Sequence, residues 1–158
     1  AMGINRPSLY AAFGNKEALF LKALDRYDQE TSSFIKPALD APTARELIEG
    51  MVYGACAFHA DTGNPPGCLM VHGALIGGDA SASARLETNR RRTLLRDRIA
   101  KRLARAQSDG DLPTNADPAA LAGYVVAILR GIAVEAASGA KPDDLRRVAD
   151  ISMAALPV

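Results

Sequence analysis

The chain has 158 residues, enough to bury one sizeable core and an ordinary length for one or two small domains. Its hydrophobic content of 48% excludes a disordered chain; with only 5% aromatic residues and no tryptophan, the core must be aliphatic and alanine-rich, which favours close helix packing over a sheet sandwich. A formal net charge of +1 excludes a whole-molecule field for polyanions, so any nucleic-acid affinity has to come from a local patch.

In chain order, Gly3 can supply the positive φ of a tight turn, and Asn5 is a good N-cap for a short helix over residues 6–13. Pro7 falls in its first turn, where a missing N–H is harmless. Gly14 stops that helix and Asn15 caps the next, an amphipathic helix from Lys16 with Leu19, Phe20, Ala23, Leu24 and Tyr27 as its stripe. Pro37 and the stretch Ala41-Pro42-Thr43 are expected to break the chain. Thr43 then caps a helix reaching residue 59 or 60, with Leu47, Ile48, Met51, Val52, Ala55 and Cys56 on one face. Residues 61–67 form the clearest loop, and a short, almost uncharged helix follows over 68–76, ended by Gly77-Gly78.

A strongly charged helix is predicted over residues 82–108, its buried line marked by Leu95, Ile99 and Leu103. Asp117 caps a helix from Pro118 to about residue 138 that is apolar almost all round. Leu121, Tyr124, Val125, Ile128, Leu129 and Ile132 lie on one side; Val126, Ala133 and Ala137 lie on the other. Such a helix sits in a core and an interface at once. The last helix opens at Pro142 and carries Leu145, Val148, Ala149, Ser152 and Leu156. No segment alternates with period two, so the chain reads as all-α. No signal peptide is read at its start. No apolar stretch is read as long enough for a bilayer, the best candidate, residues 121–129, being ended by Arg130. Two cysteines without a secretion signal read as free thiols, and the expected location is the cytoplasm, with no membrane partner.

The segment Gly3-Ile4-Asn5-Arg6-Pro7-Ser8-Leu9-Tyr10-Ala11-Ala12-Phe13-Gly14-Asn15-Lys16-Glu17-Ala18-Leu19-Phe20 reads as the second half of a helix-turn-helix. It resembles the TetR family of bacterial transcriptional regulators. Their recognition segment has the pattern Gly-hydrophobic-x-x-x-Ser/Thr-Leu-Tyr-x-x-Phe-x-x-Lys-x-x-Leu, and Gly3, Ile4, Ser8, Leu9, Tyr10, Phe13, Lys16 and Leu19 fill every fixed position. Arg6 and Ser8 stand at the front of the short helix, where an arginine can donate two hydrogen bonds to guanine O6 and N7. Lys16, with the free N–H groups of its helix start, is placed to hold a phosphate. The resemblance supports a groove-facing role for Tyr10, while Leu9 and Phe13 read as inward-packing. The DNA-binding set is thus Arg6, Pro7, Ser8, Tyr10, Ala11 and Lys16. Many members carry a histidine two positions after the tyrosine; Ala12 stands there in this chain, which predicts a leaner contact set. The family places about two further helices before this point, and without them the chain is expected to bind DNA poorly.

The resemblance implies a partial helix-turn-helix in residues 1–28 and an effector-binding, dimerising domain in residues 29–158. The helices beginning near Thr43, Cys68, Ala82 and Pro118 would enclose a ligand cavity. Its implied lining is Met51, Ala55, His59, Leu86, Asn89, Thr93, Tyr124 and Ile128, each of which core packing would equally explain. The last two helices, residues 118–156, would form a homodimer, with Ala133, Ala137, Ala149 and Ala155 permitting close approach. The partners implied are palindromic operator DNA and a small-molecule effector whose binding releases a repressor from its operator.

Cys56, His59, Cys68 and His72 pair at helical spacing, so a Cys2His2 zinc site is chemically conceivable. Small buried thiols beside core or pocket histidines are the plainer reading, and no metal or other cofactor is expected. Cys68 follows Pro66-Gly67 at a predicted helix start, where unpaired N–H groups favour a thiolate, so a redox- or electrophile-sensing regulator is the alternative. An enzyme using Cys68 with His72 or His59 as base has no nucleophile elbow, phosphate-binding glycine loop or paired carboxylates behind it, and the chain is not read as an enzyme. Finally, Arg90-Arg91-Arg92 with Arg96, Arg98, Lys101, Arg102 and Arg105 forms a basic run. Interspersed Glu87 and Asp97 mark it as a solvated helix face, with a ligand carboxylate as its other conceivable target.

Overall fold

The computed structural model describes residues 6–64, 67–71 and 82–156, without the side chains of Arg6, Pro7, Leu9 and Tyr10. Its elements are α1 (Arg6–Phe13), α2 (Lys16–Leu39), α3 (Ala44–Ala60), α4 (Ala82–Ser108), α5 (Pro118–Ala137) and α6 (Pro142–Ala154), with no strand among the described residues. Residues 69–71 are helical, as expected for the start of the short helix; the rest of that helix, Gly77-Gly78, and the expected turn at Gly3 and cap at Asn5 lie outside the described residues.

The local signals explain most boundaries. Gly14 adopts a φ of +86° between α1 and α2, and the Asn15 side chain accepts from the Ala18 N–H at 2.8 Å. Thr43 Oγ1 accepts from the Glu46 N–H at 3.1 Å, and Asp117 caps α5 through the N–H groups of Ala119 and Ala120. Pro37 does not break the chain where a stop was expected: α2 continues to Leu39. The proline sits in the last turn on an exposed face, where losing one hydrogen bond to the Ser33 carbonyl exposes only a solvated oxygen. At the other end of the chain α6 finishes at Ala154, with Ala155 as its C-cap, two residues before the expected Leu156.

Helix α3 is the hub, packing on α2, α4, α5 and α6. Leu47, Ile48, Met51 and Val52 are fully buried there, against a core that includes Ile99 and Leu103 of α4, Val125 and Ile132 of α5, and Leu145 and Ala149 of α6. Glycine allows the closest approach: a Cβ on Gly54 would stand 2.6 Å from the Phe34 Cβ, so α2 and α3 touch backbone to side chain at that level. The Ala44 N–H donates to the Asp111 carboxylate, which ties the start of α3 to the turn after α4.

Helix α5 corrects one expectation. It is 20 residues long with a mean hydropathy of 1.7, long and apolar enough by composition to cross a membrane despite Arg130. Part of its apolar surface is used in packing, with Ala122, Val125, Val126, Ile132 and Ala133 buried among α3, α4 and α6, and part is exposed.

Candidate functional site

Four helices each present residues spaced about one turn apart to a cavity of about 250 Å³. Helix α2 contributes Tyr27, Thr31, Phe34 and Ile35, and α3 contributes Ala55 and His59. Helix α4 supplies Arg91, Arg92, Leu95 and Arg98; α5 supplies Val126, Leu129 and Arg130. Cys68 and Met70, at the start of the helix after the loop, complete the wall. Phe58, outside the lining, packs edge-on to Tyr27 at 6.2 Å and to His59 at 5.1 Å.

The polar groups on this wall have contrasting environments. Arg91 reaches from α4 to α2 and donates Nη2 to Asp25 at 2.6 Å and Nη1 to Asp28 at 2.7 Å, while Nε donates to Glu87 at 2.7 Å. Burial works against its charge, but the bonds to Glu87, Asp25 and Asp28 outweigh that and push its pKa up. The bonds from Arg90 and Arg91 hold the Glu87 carboxyl at about 2. Arg130 lines the cavity from α5 and is half-buried. Burial pulls its pKa down, and the like charges of Arg92 and Arg96 add to the effect. Among the described residues no carboxylate lies within ion-pair distance of Arg92, Arg98 or Arg130. Burial, with the Cys68 side chain beside its hydroxyl, pushes the Tyr27 phenol up, and burial alone pushes the His59 imidazole below its ordinary 6.5.

Of the residues expected to line a cavity, the structure brings Ala55 and His59 together, with Cys68 beside them. Met51 is fully buried in the core, and Ile128 packs against it. Leu86, Asn89 and Thr93 are exposed on the outer side of α4, and Tyr124 is exposed on α5, so these stand outside the cavity. Sequence reasoning missed Tyr27, Thr31, Phe34, Ile35, Leu95, Val126, Leu129 and Arg130, and named Arg92 only within the basic run, with a ligand carboxylate as its conceivable target. Two signals were available. The buried line Leu95–Ile99–Leu103, carried back one turn, points to Arg91 and Arg92; and Arg130 is the only charge in α5 before Glu135.

Cys56 does not share a site with Cys68. Its thiol is buried, donates to the Leu145 carbonyl at 3.5 Å, and is pushed up in pKa by burial. His72 lies outside the described residues, and among the described residues no three potential ligands gather around a metal position. The basic run on α4 is divided: Arg90 pairs with Glu87, Arg102 donates to the Ala41 and Pro42 carbonyls, and Arg91, Arg92 and Arg98 turn to the cavity.

The backbones of Arg6, Pro7 and Tyr10 fall in α1; Ser8, Ala11 and Lys16 are exposed. Phe13 lies beneath Lys22, whose Nζ is 5.2 Å from the ring, so α1 is seated on α2. At the other end of the molecule, Tyr124, Ala127, Gly131 and Val134 form an exposed stripe along α5, and Val148, Ile151 and Ala155 another along α6. Ala137 and Ala155 are exposed, whereas Ala133 and Ala149 are used up inside the chain.

The all-helical fold has counterparts among known proteins. The model of the tetracyclin repressor-like C-terminal domain matches residues 44–151. The HTH-type transcriptional repressor ComR of Escherichia coli (strain K12) is 24% identical over 159 residues, covering 99% of this chain and 76% of that protein. The repressor BdcR of the same organism is 35% identical over 74 residues, covering 46% of this chain and 37% of that protein. Among solved structures, a cysteine mutant of the TetR family regulator CifR, complexed with 26-bp double-strand operator DNA, superposes with a TM-score of 0.88 at 34% identity, covering 99% of this chain and 82% of that one. A chain from Rhodococcus sp. RHA1 described as a TetR transcriptional regulator gives 0.71 at 38% identity, covering 99% and 84%. With the recognition pattern of α1, the all-helical body and two thirds of the chain under one family model, the chain belongs to the TetR family of transcriptional regulators.

Proposed function

We propose that the chain is the sensing body and recognition helix of a repressor that a small molecule releases from its operator. One observation carries this reading: α2 is a single uninterrupted helix that holds α1 at its start and walls the cavity with Tyr27, Thr31, Phe34 and Ile35 further along. A ligand that prefers one position of α2 therefore changes the position of α1, and it shifts the DNA equilibrium only by its difference in affinity for the two positions. The proposed division of labour, residues 1–28 for DNA and 29–158 for effector and dimer, falls inside this helix, so the two functions share a rigid element.

The reading assigns DNA contact to Arg6, Pro7, Ser8, Tyr10, Ala11 and Lys16, of which Lys16 lies at the exposed start of α2 where N–H groups and the helix dipole favour a phosphate. The exposed stripes of α5 and α6 support a homodimer through residues 118–156, which fits a palindromic operator read by two recognition helices. The proposed location is the cytoplasm, and the proposed role is regulation without catalysis. Cys68 is a lone thiol on the cavity wall, and the thiol-sensing alternative is not favoured over a reversible ligand.

The test is a mobility-shift titration of the full-length protein on DNA upstream of its own gene. Arg6→Ala and Tyr10→Ala are expected to lose tenfold or more in affinity, since a bidentate arginine contact contributes about 1–3 kcal/mol. Wild-type affinity in both variants would remove the recognition-helix assignment.

A further inference from the structure

Arginine at a cavity wall is normally matched by carboxylates, because moving a guanidinium out of water has to be offset by charge-assisted bonds. Arg91 meets that rule three times over, with Asp25, Asp28 and Glu87. In the same cavity the rule is not met by Arg92 and Arg130, which line it from α4 and α5 with no carboxylate partner among the described residues. Asp28, the carboxylate on the lining, is already engaged by Arg91. Beside the two arginines the wall is hydrocarbon, from Leu95, Val126 and Leu129. The volume, about 250 Å³, lies just below the usual ~300–1,000 Å³ of small-molecule sites and therefore limits the guest to a compact molecule.

Resting on the effector reading above, we propose that this cavity takes a small organic anion: a carboxylate-type head held by Arg130 and Arg92, and an apolar body against Leu95, Val126 and Leu129. The arrangement has the chemistry for it. A guanidinium presents paired N–H donors that match the two oxygens of a carboxylate, and one anion relieves the repulsion between two cations at once. An uncharged guest of the same shape would fill the hydrocarbon wall and leave both guanidiniums without a counter-charge. Burial and the charge of Arg92 pull the pKa of Arg130 down, the direction expected where a cation is held without its counter-charge.

The experiment is calorimetric titration of the full-length protein with hexanoate, octanoate and benzoate, each beside its primary amide, on wild type, Arg130→Met, Arg92→Met and the double variant. Melting temperatures establish that each variant is folded, and Arg130→Gln serves as a polar second variant. At least one carboxylate is expected to bind wild type tenfold or more tightly than its amide, with the ratio falling towards one in the double variant while amide binding persists. Equal binding of acids and amides by wild type would overturn the anion assignment and leave the effector cavity standing. A preference for acids that survives the double substitution would also overturn it, by placing the anion elsewhere. Failure of all six compounds to bind wild type would overturn both the anion assignment and the effector reading.

Discussion

Two arginines that line one cavity, Arg91 from α4 and Arg130 from α5, behave as different kinds of residue. Arg91 is a clamp: bonds of 2.6 and 2.7 Å to Asp25 and Asp28 span from α4 to α2, a third of 2.7 Å goes to Glu87 on its own helix, and three carboxylates already answer its charge. Arg130 sits against hydrocarbon with like charges nearby and no carboxylate partner among the described residues. The lesson is that a basic lining residue says little until its partners are counted. A saturated cation contributes to architecture, and an unsaturated one to recognition.

The largest effect is expected from removing the clamp. Arg91→Met leaves three carboxylates without their shared cation; because Asp25 and Asp28 are largely exposed, solvent absorbs much of the loss. A destabilisation of about 1–3 kcal/mol is expected, read as a lower denaturation midpoint in urea. A substitution that tightens the same α2–α3–α4 region without touching charge should come next. Gly54→Ala drives a methyl group onto Phe34, and an overpacking loss of about 1–2 kcal/mol is expected, with ligand affinity falling as Phe34 is displaced.

Arg130→Met sharpens the contrast from the other side. It deletes a cation that has no counter-charge among the described residues and adds hydrocarbon to an apolar wall. Its expected effect on stability is between zero and a gain of about 1 kcal/mol, measured by the same urea midpoint. A loss comparable to that of Arg91→Met would erase the distinction between the two residues.

The smallest effect concerns His59. Its folded pKa is depressed by burial, so below about 6.5 the unfolded chain takes up a proton that the folded chain resists. Stability is therefore unaffected by His59 above that value and falls as the pH drops below it. Comparing urea midpoints at pH 7.5 and 5.5, the wild type should lose more than His59→Phe, by a fraction of about 1 kcal/mol.

Much of this architecture was legible in the residues. Helix α4 has the bounds expected of it, and Thr43 and Asp117 cap α3 and α5 as their chemistry predicts, because capping is decided by atoms within one turn. Pro37 does not end α2, since the damage a proline does depends on whether the orphaned carbonyl is buried, and sequence does not state that. The cavity lining was less legible. On α4 the expected set Leu86, Asn89 and Thr93 is out of phase with the cavity-facing Arg91, Arg92 and Leu95 by about one residue, which on a helix is a rotation of about 100°. Periodicity identifies an apolar face, but whether that face packs solid, as at Met51, or stops short, as at Ala55, is decided by the spacing of α2 and α5 around it.

Held by the Arg91 clamp, α2 is expected to keep α1 in the position that serves DNA. The direct measurement is the operator affinity of full-length Arg91→Met beside wild type and Arg130→Met, without added ligand, on DNA upstream of the gene. Loss of affinity by about fivefold or more in Arg91→Met, with Arg130→Met at the wild-type value, is the predicted result, fivefold corresponding to roughly 1 kcal/mol. Wild-type operator affinity in Arg91→Met would contradict it, because the cavity wall would then have no hold on the recognition helix.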